Sequence, residues 1–534
     1  MFTRTTHHFA TALVVAALAA PGCGKPKGET TPPDATPPAD NGPPVAAKPT
    51  RVYQDPPPPT EPREVQFPDL QKITTKNGLE IYVVENHEVP LITAQLVIKA
   101  GTMDDEQLAE MTASMLGEGT KTRAKAKIDQ EIEFVGGSLG AGAGIHDTSV
   151  FSQVLKRDIK LALTLMADEV MNPAFPADAL TKLKDKAKTG LKAMKSNSDV
   201  LADHLFQMAA YPAGHPYGRP IPSEAQIDAV TVDAVKKFHD TFYRSNNAYL
   251  ILSGDITVPE AEKLGNEVFG KWKPIEGNAP INPLNGFKSY KHPPKLIVHL
   301  VNRPGSAQSD IRVGNLALAR KNPEWIKLDL ASDILGGGST GRLFLDVREE
   351  KGLTYGIYTK MEPGVAPGTW RIWTKTKTAT TGEMLKAIFG HIKKMRDEDV
   401  TAKEFEDVTR EAIGSFPLSI ETADQVAGRV RTILTYGLPN DYYKTYRDEV
   451  RKAQLADMKT MSRKFMNDVP VVVVVGRADK TEQQIKDALP DATIVHYDTD
   501  LNCIEKDTTF CAANKADLAA APAAAPAPAP APAK

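Results

Sequence analysis

Arg348 and Tyr355 stand seven residues apart in the run G-G-G-S-T-G-R-L-F-L-D-V-R-E-E-K-G-L-T-Y-G-I-Y, from Gly336 to Tyr358. A guanidinium and a phenol presented to one point are suitable donors for a polarised carbonyl or a peptide backbone. The bland alternative is a solvated charge at a helix end and an ordinary strand tyrosine. Metal ligands are not offered by spacing: the histidines at 87, 146, 204, 215, 239, 292, 299, 391 and 496 are scattered, with no His-x-x-x-His among them. The glycine-rich 336–341 run is not a phosphate loop, because no Lys-Ser/Thr follows and it does not open a βαβ unit.

The elements around the pair can be read from periodicity. After the glycines, Leu343, Phe344 and Val347 repeat at helical spacing, Gly352 ends that short helix, and an aromatic period-two run predicts a strand. On a larger scale the body, about 65 to 490, divides into halves of similar plan. The first half reads as strands at 79–84 and 91–100, helices at 106–116 and 123–134, and a strand at 148–155. Helices at 159–171, 177–195, 199–210 and 232–242 follow, then a buried strand ending at Gly254. The second half repeats it, with strands at 296–300 and 311–318, a helix at 323–335, and a strand near 369–374. Helices at 385–395, 401–416 and 457–466 precede a closing strand that ends at Gly476. Leu116-Gly117 aligns with Leu335-Gly336 and Gly254 with Gly476, at offsets of 219 and 222, which argues for a duplication. The fold class expected is α+β: two homologous lobes, each a mixed, mostly antiparallel sheet with helices packed on one face.

The 534 residues carry a formal net charge of -2, with 41% hydrophobic and 25% charged residues. No extended basic patch interrupts this globular composition, so nucleic acid is not an expected partner. Arg4 followed by an apolar stretch from 9 to 20 reads as an export signal, 1–22, too short for a comfortable membrane span. Cys23, in A-A-P-G-C-G, is positioned as the lipidated N-terminus of a bacterial lipoprotein. That would place the chain in the periplasm or at the cell surface, touching membrane only through its anchor. Residues 23–64 read as a Pro-rich tether and 519–534 as an Ala/Pro tail, both too poor in apolar residues to fold. The expected body is a first domain at 65–270, a linker at 271–292, a second domain at 293–490 and an extension at 491–518. Within that extension Cys503 and Cys511, eight apart in an exported chain, are expected to form a disulfide.

Several stretches carry a family resemblance: A-G-T-M-D-D…L-A-E-M-T-A-S-M-L-G-E-G-T-K-T-R (100–123), E-F-V-G-G-S-L-G-A (133–141), H-P-Y-G-R-P (215–220), L-G-G-G-S-T-G-R-L-F (335–344), R-E-E-K-G-L-T-Y (348–355) and Y-G-L-P-N-D-Y-Y (436–443). Over about 65 to 490 the chain resembles the M16 peptidases (the pitrilysin, insulysin and mitochondrial processing peptidase family), particularly bacterial half-length members that work in pairs. The resemblance implies a zinc helix of the form His-x-x-Glu-His in the first half and a distant glutamate ligand. Here the first ligand position is Glu110, the base position Ala113 and the second ligand position Ser114, and 179–196 holds no glutamate. It also implies that Arg348 and Tyr355 match an arginine–tyrosine pair that reaches over a zinc site and binds the peptide or its tetrahedral intermediate. The expected function is therefore the non-zinc subunit of a heterodimeric metallopeptidase. It would carry no cofactor, pair with a zinc-bearing M16 subunit, and supply half a chamber for an extended peptide, with a homodimer as the expected alternative in isolation. The alternatives are a non-catalytic peptide-binding scaffold, or metal binding rewired through Glu110, His146 or His204.

Overall fold

The computed structural model describes residues 60, 64–277, 280, 282–287 and 295–504. Those from 64 on belong to one unit, Glu61–Lys534. The export signal, Cys23, nearly all of the tether, part of the linker, Cys511 and the Ala/Pro tail lie outside the described residues.

The first lobe holds strands β1 (Gln71–Thr74), β2 (Glu80–Glu85), β3 (Leu91–Ile98), β4 (Ser138–Ala143), β5 (Thr148–Leu155) and β6 (Ala248–Gly254). Its helices are α1 (Glu106–Leu116), α2 (Lys125–Phe134), α3 (Ile159–Met171), α4 (Ala177–Ser196), α5 (Ser198–Ala210), α6 (Glu224–Asp228), α7 (Val232–Phe242) and α8 (Val258–Phe269). The second lobe holds β7 (Ile297–Asn302), β8 (Gln308–Leu316), β9 (Ile357–Met361), β10 (Thr369–Lys377), β11 (Val471–Gly476) and β12 (Thr493–Tyr497). Its helices are α9 (Trp325–Gly336), α10 (Thr381–Asp397), α11 (Ala402–Ser415), α12 (Ala423–Tyr436), α13 (Tyr442–Lys452), α14 (Leu455–Phe465) and α15 (Ala478–Ala488).

The duplication is visible in the strand orders, β1-β2-β6-β3-β5-β4 and β12-β7-β11-β8-β10-β9. Five strands correspond one to one, with a single parallel pair in that set, β2–β6 or β7–β11. The lobes differ at one edge, where β1 pairs antiparallel with β2 but β12 pairs parallel with β7. Both are mixed, mostly antiparallel sheets with helices outside them.

The central strands β6 (A-Y-L-I-L-S-G) and β11 (V-V-V-V-V-G) are buried at every position. A strand apolar on both sides needs cover on both sheet faces. The lobe's own helices supply one cover. Leu250 and Leu252 join a core with Leu116 of α1 and Met166 of α3, while Val472 and Val474 pack with Leu335 of α9 and Ile388 of α10. The second cover comes from the other lobe. Tyr249 and Ile251 of β6 cluster with Val426, Ala427, Val430 and Ile433 of α12. Val471, Val473 and Val475 of β11 cluster with Leu201, Ala202, Leu205 and Phe206 of α5. Each Val, Leu, Ile or Phe side chain among them, taken from water, is worth about 1.5–3 kcal/mol, so this exchange of helices is what binds the two halves.

Polar contacts repeat the exchange with unequal strength. Arg312, opposite Val473 in the ladder, is 1% exposed and ion-paired to Asp199 at 2.7 Å and Asp203 at 2.6 Å on α5. Its counterpart Gln95, opposite Ile251, donates only a 3.5 Å bond to Asp424 at the start of α12. Further along α12, Arg431 pairs with Asp147, whose other oxygen accepts from Thr435 Oγ1 at 2.7 Å.

The disulfide expected between Cys503 and Cys511 falls in part outside the described residues, since Cys511 is not among them; no disulfide joins two described residues. The segment after β12 is fastened by a Tyr497–Cys503 bridge and by Ile504 N–H donating to His496 O at 2.9 Å.

Candidate functional site

Arg348 and Tyr355 come together on the second lobe. The chain leaves α9 through the glycine run, where a Cβ on Gly341 would sit 2.8 Å from Gly336 Cα, so the loop closes backbone against backbone. Arg342 then grips Glu404 of α11 with two donors, at 2.6 and 2.9 Å. The Arg342 hydrogen bonds hold the Glu404 carboxyl down at about 2, against its burial.

Residues 344–350 form a π-helical turn rather than the expected regular helix, with Lys351 N–H donating to Asp346 O at 3.0 Å. A turn wound this widely needs outside support and is frequent at functional sites. Asp346 supplies the support: Lys351 Nζ donates to it at 2.7 Å, and His391 Nε2 of α10 lies 2.9 Å from it. Burial works to raise the Asp346 pKa, but these two neighbours outweigh it and leave it lowered. Gly352, at φ +60°, takes the left-handed exit, and Leu353 N–H returns to Val347 O at 3.0 Å. Thr354 Oγ1 then donates to Lys375 O of β10 at 2.6 Å.

On this fastened turn the Arg348 guanidinium lies 4.6 Å from the Phe344 ring centre and 5.3 Å from that of Tyr355. Its Nη1 is 3.0 Å from Glu349 Oε1. Tyr355 is 91% exposed. The arrangement can offer two hydrogen-bond donors to a carbonyl arriving from outside the chain.

The first lobe places the other candidates on α1, capped by Asp105, which accepts from Leu108 N–H at 2.9 Å. Glu110 and Ser114 share the exposed side one turn apart, whereas Ala113 is buried. Surrounding protein raises the Glu110 pKa, and burial pushes Asp104 up to about 6. No hydrogen bond or ion pair among the described residues links Glu110 or Ser114 to Arg348 or Tyr355. One carboxylate and one hydroxyl do not make the three-ligand set that a catalytic zinc requires, and alanine cannot activate water. On α4, where the resemblance puts the distant ligand, Leu191 is buried and Lys192 pairs with Glu224 at 3.6 Å. Among the described residues, no group of three or more His, Cys, Asp or Glu is placed to hold a metal.

The rewired alternative fares no better. His146 Nε2 is 2.6 Å from Tyr217 OH, and His204 Nε2 is 3.0 Å from Arg219 O. His215 is buried, stacks on Tyr211 at 4.6 Å, and accepts from Tyr217 N–H. Burial, with the Arg219 charge, holds it down at about 4.

Two sets of residues escaped sequence reasoning. Arg219, inside the H-P-Y-G-R-P run, donates to Thr102 O and to Met103 O (2.6 Å), pinning the segment that leads into α1. Behind Phe344 stand Tyr358 at 5.8 Å and, beyond it, Trp373 at 5.1 Å. The aromatic alternation after Gly352 was the only signal for Tyr358, and Trp373 fell in the strand read near 369–374.

Comparison with known proteins gives a consistent result. Residues 81–221 match a family profile described as insulinase (peptidase family M16), and 229–411 one described as peptidase M16 inactive domain. An uncharacterised zinc protease of Mycobacterium tuberculosis is 25% identical over 363 residues, 67% of this chain and 81% of the relative. The non-peptidase homolog YmxG of Helicobacter pylori is 23% identical over 404 residues, 73% of this chain and 90% of the relative. Among solved structures, a peptidase M16 inactive domain from Pseudomonas fluorescens aligns with a TM-score of 0.70 at 27% identity, covering 77% of this chain and 98% of that one. A Helicobacter pylori protease gives a TM-score of 0.70 at 19% identity, over 77% of this chain and all of its own, a likeness of fold alone.

Proposed function

Because the chain belongs to the M16 peptidase family and lacks an intact zinc motif, we propose that it is the metal-free subunit of a two-chain zinc peptidase. A zinc-bearing M16 partner supplies the metal and the base. This chain supplies Arg348 and Tyr355, which donate to the peptide carbonyl and to the oxyanion that forms from it; donors that strengthen as charge develops accelerate the step itself. The observation that carries the reading is the exposed Tyr355 beside the half-buried Arg348 on a braced turn, in a chain whose own Glu110, Ala113 and Ser114 cannot hold zinc.

The peptide is bound extended, as a strand added to a sheet edge. β9, which has β10 as its neighbour on one side, begins two residues after Tyr355 and suits that role. Export and anchoring through Cys23 belong to the same proposal, and palmitate labelling lost in Cys23→Ser checks them.

The test is turnover of a quenched fluorescent peptide by this chain assembled with a zinc-bearing M16 chain of the same organism. Arg348→Ala and Tyr355→Phe should each lower turnover, by about 100- to 1,000-fold for a lost oxyanion donor, with assembly intact. Normal turnover in both variants removes the assigned role. A scaffold without catalytic part is the second reading, favoured by the non-peptidase name of the Helicobacter pylori relative; it predicts no activation of any zinc-bearing chain.

A further inference from the structure

We propose that Phe344 is a positioning residue for this site: its buried ring clamps the Arg348 guanidinium from below while Tyr355 covers it from above. The inference rests on the assigned role of Arg348 and Tyr355, and names what aims them. A free arginine on a surface turn samples many rotamers, and ordering it costs up to about 2 kcal/mol of side-chain entropy. Here the guanidinium lies within cation–π range of two rings, 4.6 Å from Phe344 and 5.3 Å from Tyr355. Phe344 is 4% exposed and cannot follow the arginine outward. Behind it Tyr358 and Trp373 continue an aromatic column into β9 and β10, so the lower jaw is part of the sheet.

A guanidinium held by its faces keeps its N–H groups at its edge, where they can donate. One end is already engaged by Glu349 at 3.0 Å. The π-helical turn brings positions 344 and 348 to the same side, and Asp346, caught by His391 and Lys351, prevents it from rewinding. Tyr355 gains its placement from the same stack, although it is 91% exposed and has no packed neighbour to hold it otherwise among the described rings beyond the guanidinium. The three side chains thus form one unit: loss of Phe344 frees both donors without touching either. Phe344 itself contacts no substrate, and its effect runs through Arg348.

The first test needs only the isolated chain, labelled with 13C,15N-arginine and assigned with Arg348→Lys. Between two rings, the Arg348 δ-protons should lie upfield of the free-arginine position; a free-arginine position in the unmodified chain overturns the clamp without any variant. Phe344→Leu, which keeps an apolar group in the core, should move those signals toward the free position, and Phe344→Tyr should retain them. The second test is turnover with the zinc-bearing partner. Phe344→Leu should lower kcat by about 2- to 30-fold, Phe344→Tyr should restore it, and Phe344→Leu should add nothing to Arg348→Ala. Displaced arginine signals with unchanged kcat overturn the positioning role. Normal turnover in Arg348→Ala sinks the underlying functional reading instead, and the arginine spectrum still decides the clamp.

Discussion

Replacing Glu169 by glutamine should remove a pH-dependent weakness from the first lobe. Glu169 lies on α3, is 3% exposed, and its Oε2 has no hydrogen-bond partner among the described residues. Burial pushes its pKa from 4.5 up to about 7, with Asp129 and Asp168 adding repulsion and Lys125 opposing them. The folded pKa is therefore raised above the unfolded one. The protonated group is fully compatible with the fold below 4.5, and its contribution is lost as pH climbs through about 7. At 1.36 kcal/mol per unit, a shift of this size corresponds to about 3 kcal/mol, or about 6–12 °C in Tm for a unit of this lobe's size. Thermal melts of both proteins at about pH 4 and about pH 8.5 read it out. Glu169→Gln should match the parent at the acid end and exceed it at the alkaline end by that margin. Equal pH dependence in the two proteins would refute the assignment of the penalty to Glu169.

The cross-lobe ion cluster should respond asymmetrically. Asp199→Asn with Asp203→Asn leaves Arg312, 1% exposed, without its two carboxylates and should cost about 3–5 kcal/mol in denaturant melts. Arg312→Met should cost less, since the carboxylates it abandons are 39% and 41% exposed and can be hydrated. Gly352→Ala, at φ +60°, should cost about 1–2 kcal/mol, and Gly352→Asn should recover most of it.

Much of the fold was legible, because its signals are local. The matched glycines at 254 and 476 end two apolar runs, and Glu106–Leu116, Ile159–Met171 and Val232–Phe242 occupy the predicted spans. The helix exchange was not legible. An amphipathic pattern says that Leu201, Leu205 and Phe206 are buried, but not that their cover is β11 of the other lobe. The elements α8, α12, α13 and α15 are not among those the sequence suggested, and α12 is the one that caps the first sheet. At the candidate site, residue types and spacing left Arg348 and Tyr355 with two readings, the M16 resemblance favoured the pair, and Gly352 marked the turn. The π-helical winding escaped because it depends on Asp346 meeting His391, 45 residues away in sequence. Phe344 read as an ordinary core position, since the Arg348 guanidinium lies over its ring only in the folded chain.

In the proposed function this chain binds no zinc and depends on another chain for hydrolysis. The most direct measurement is cleavage of a quenched fluorescent peptide by the purified chain, by a zinc-bearing M16 chain from the same organism, and by the two mixed. Turnover that emerges only in the mixture is the expected result. Chelator-sensitive cleavage by this chain alone would contradict it.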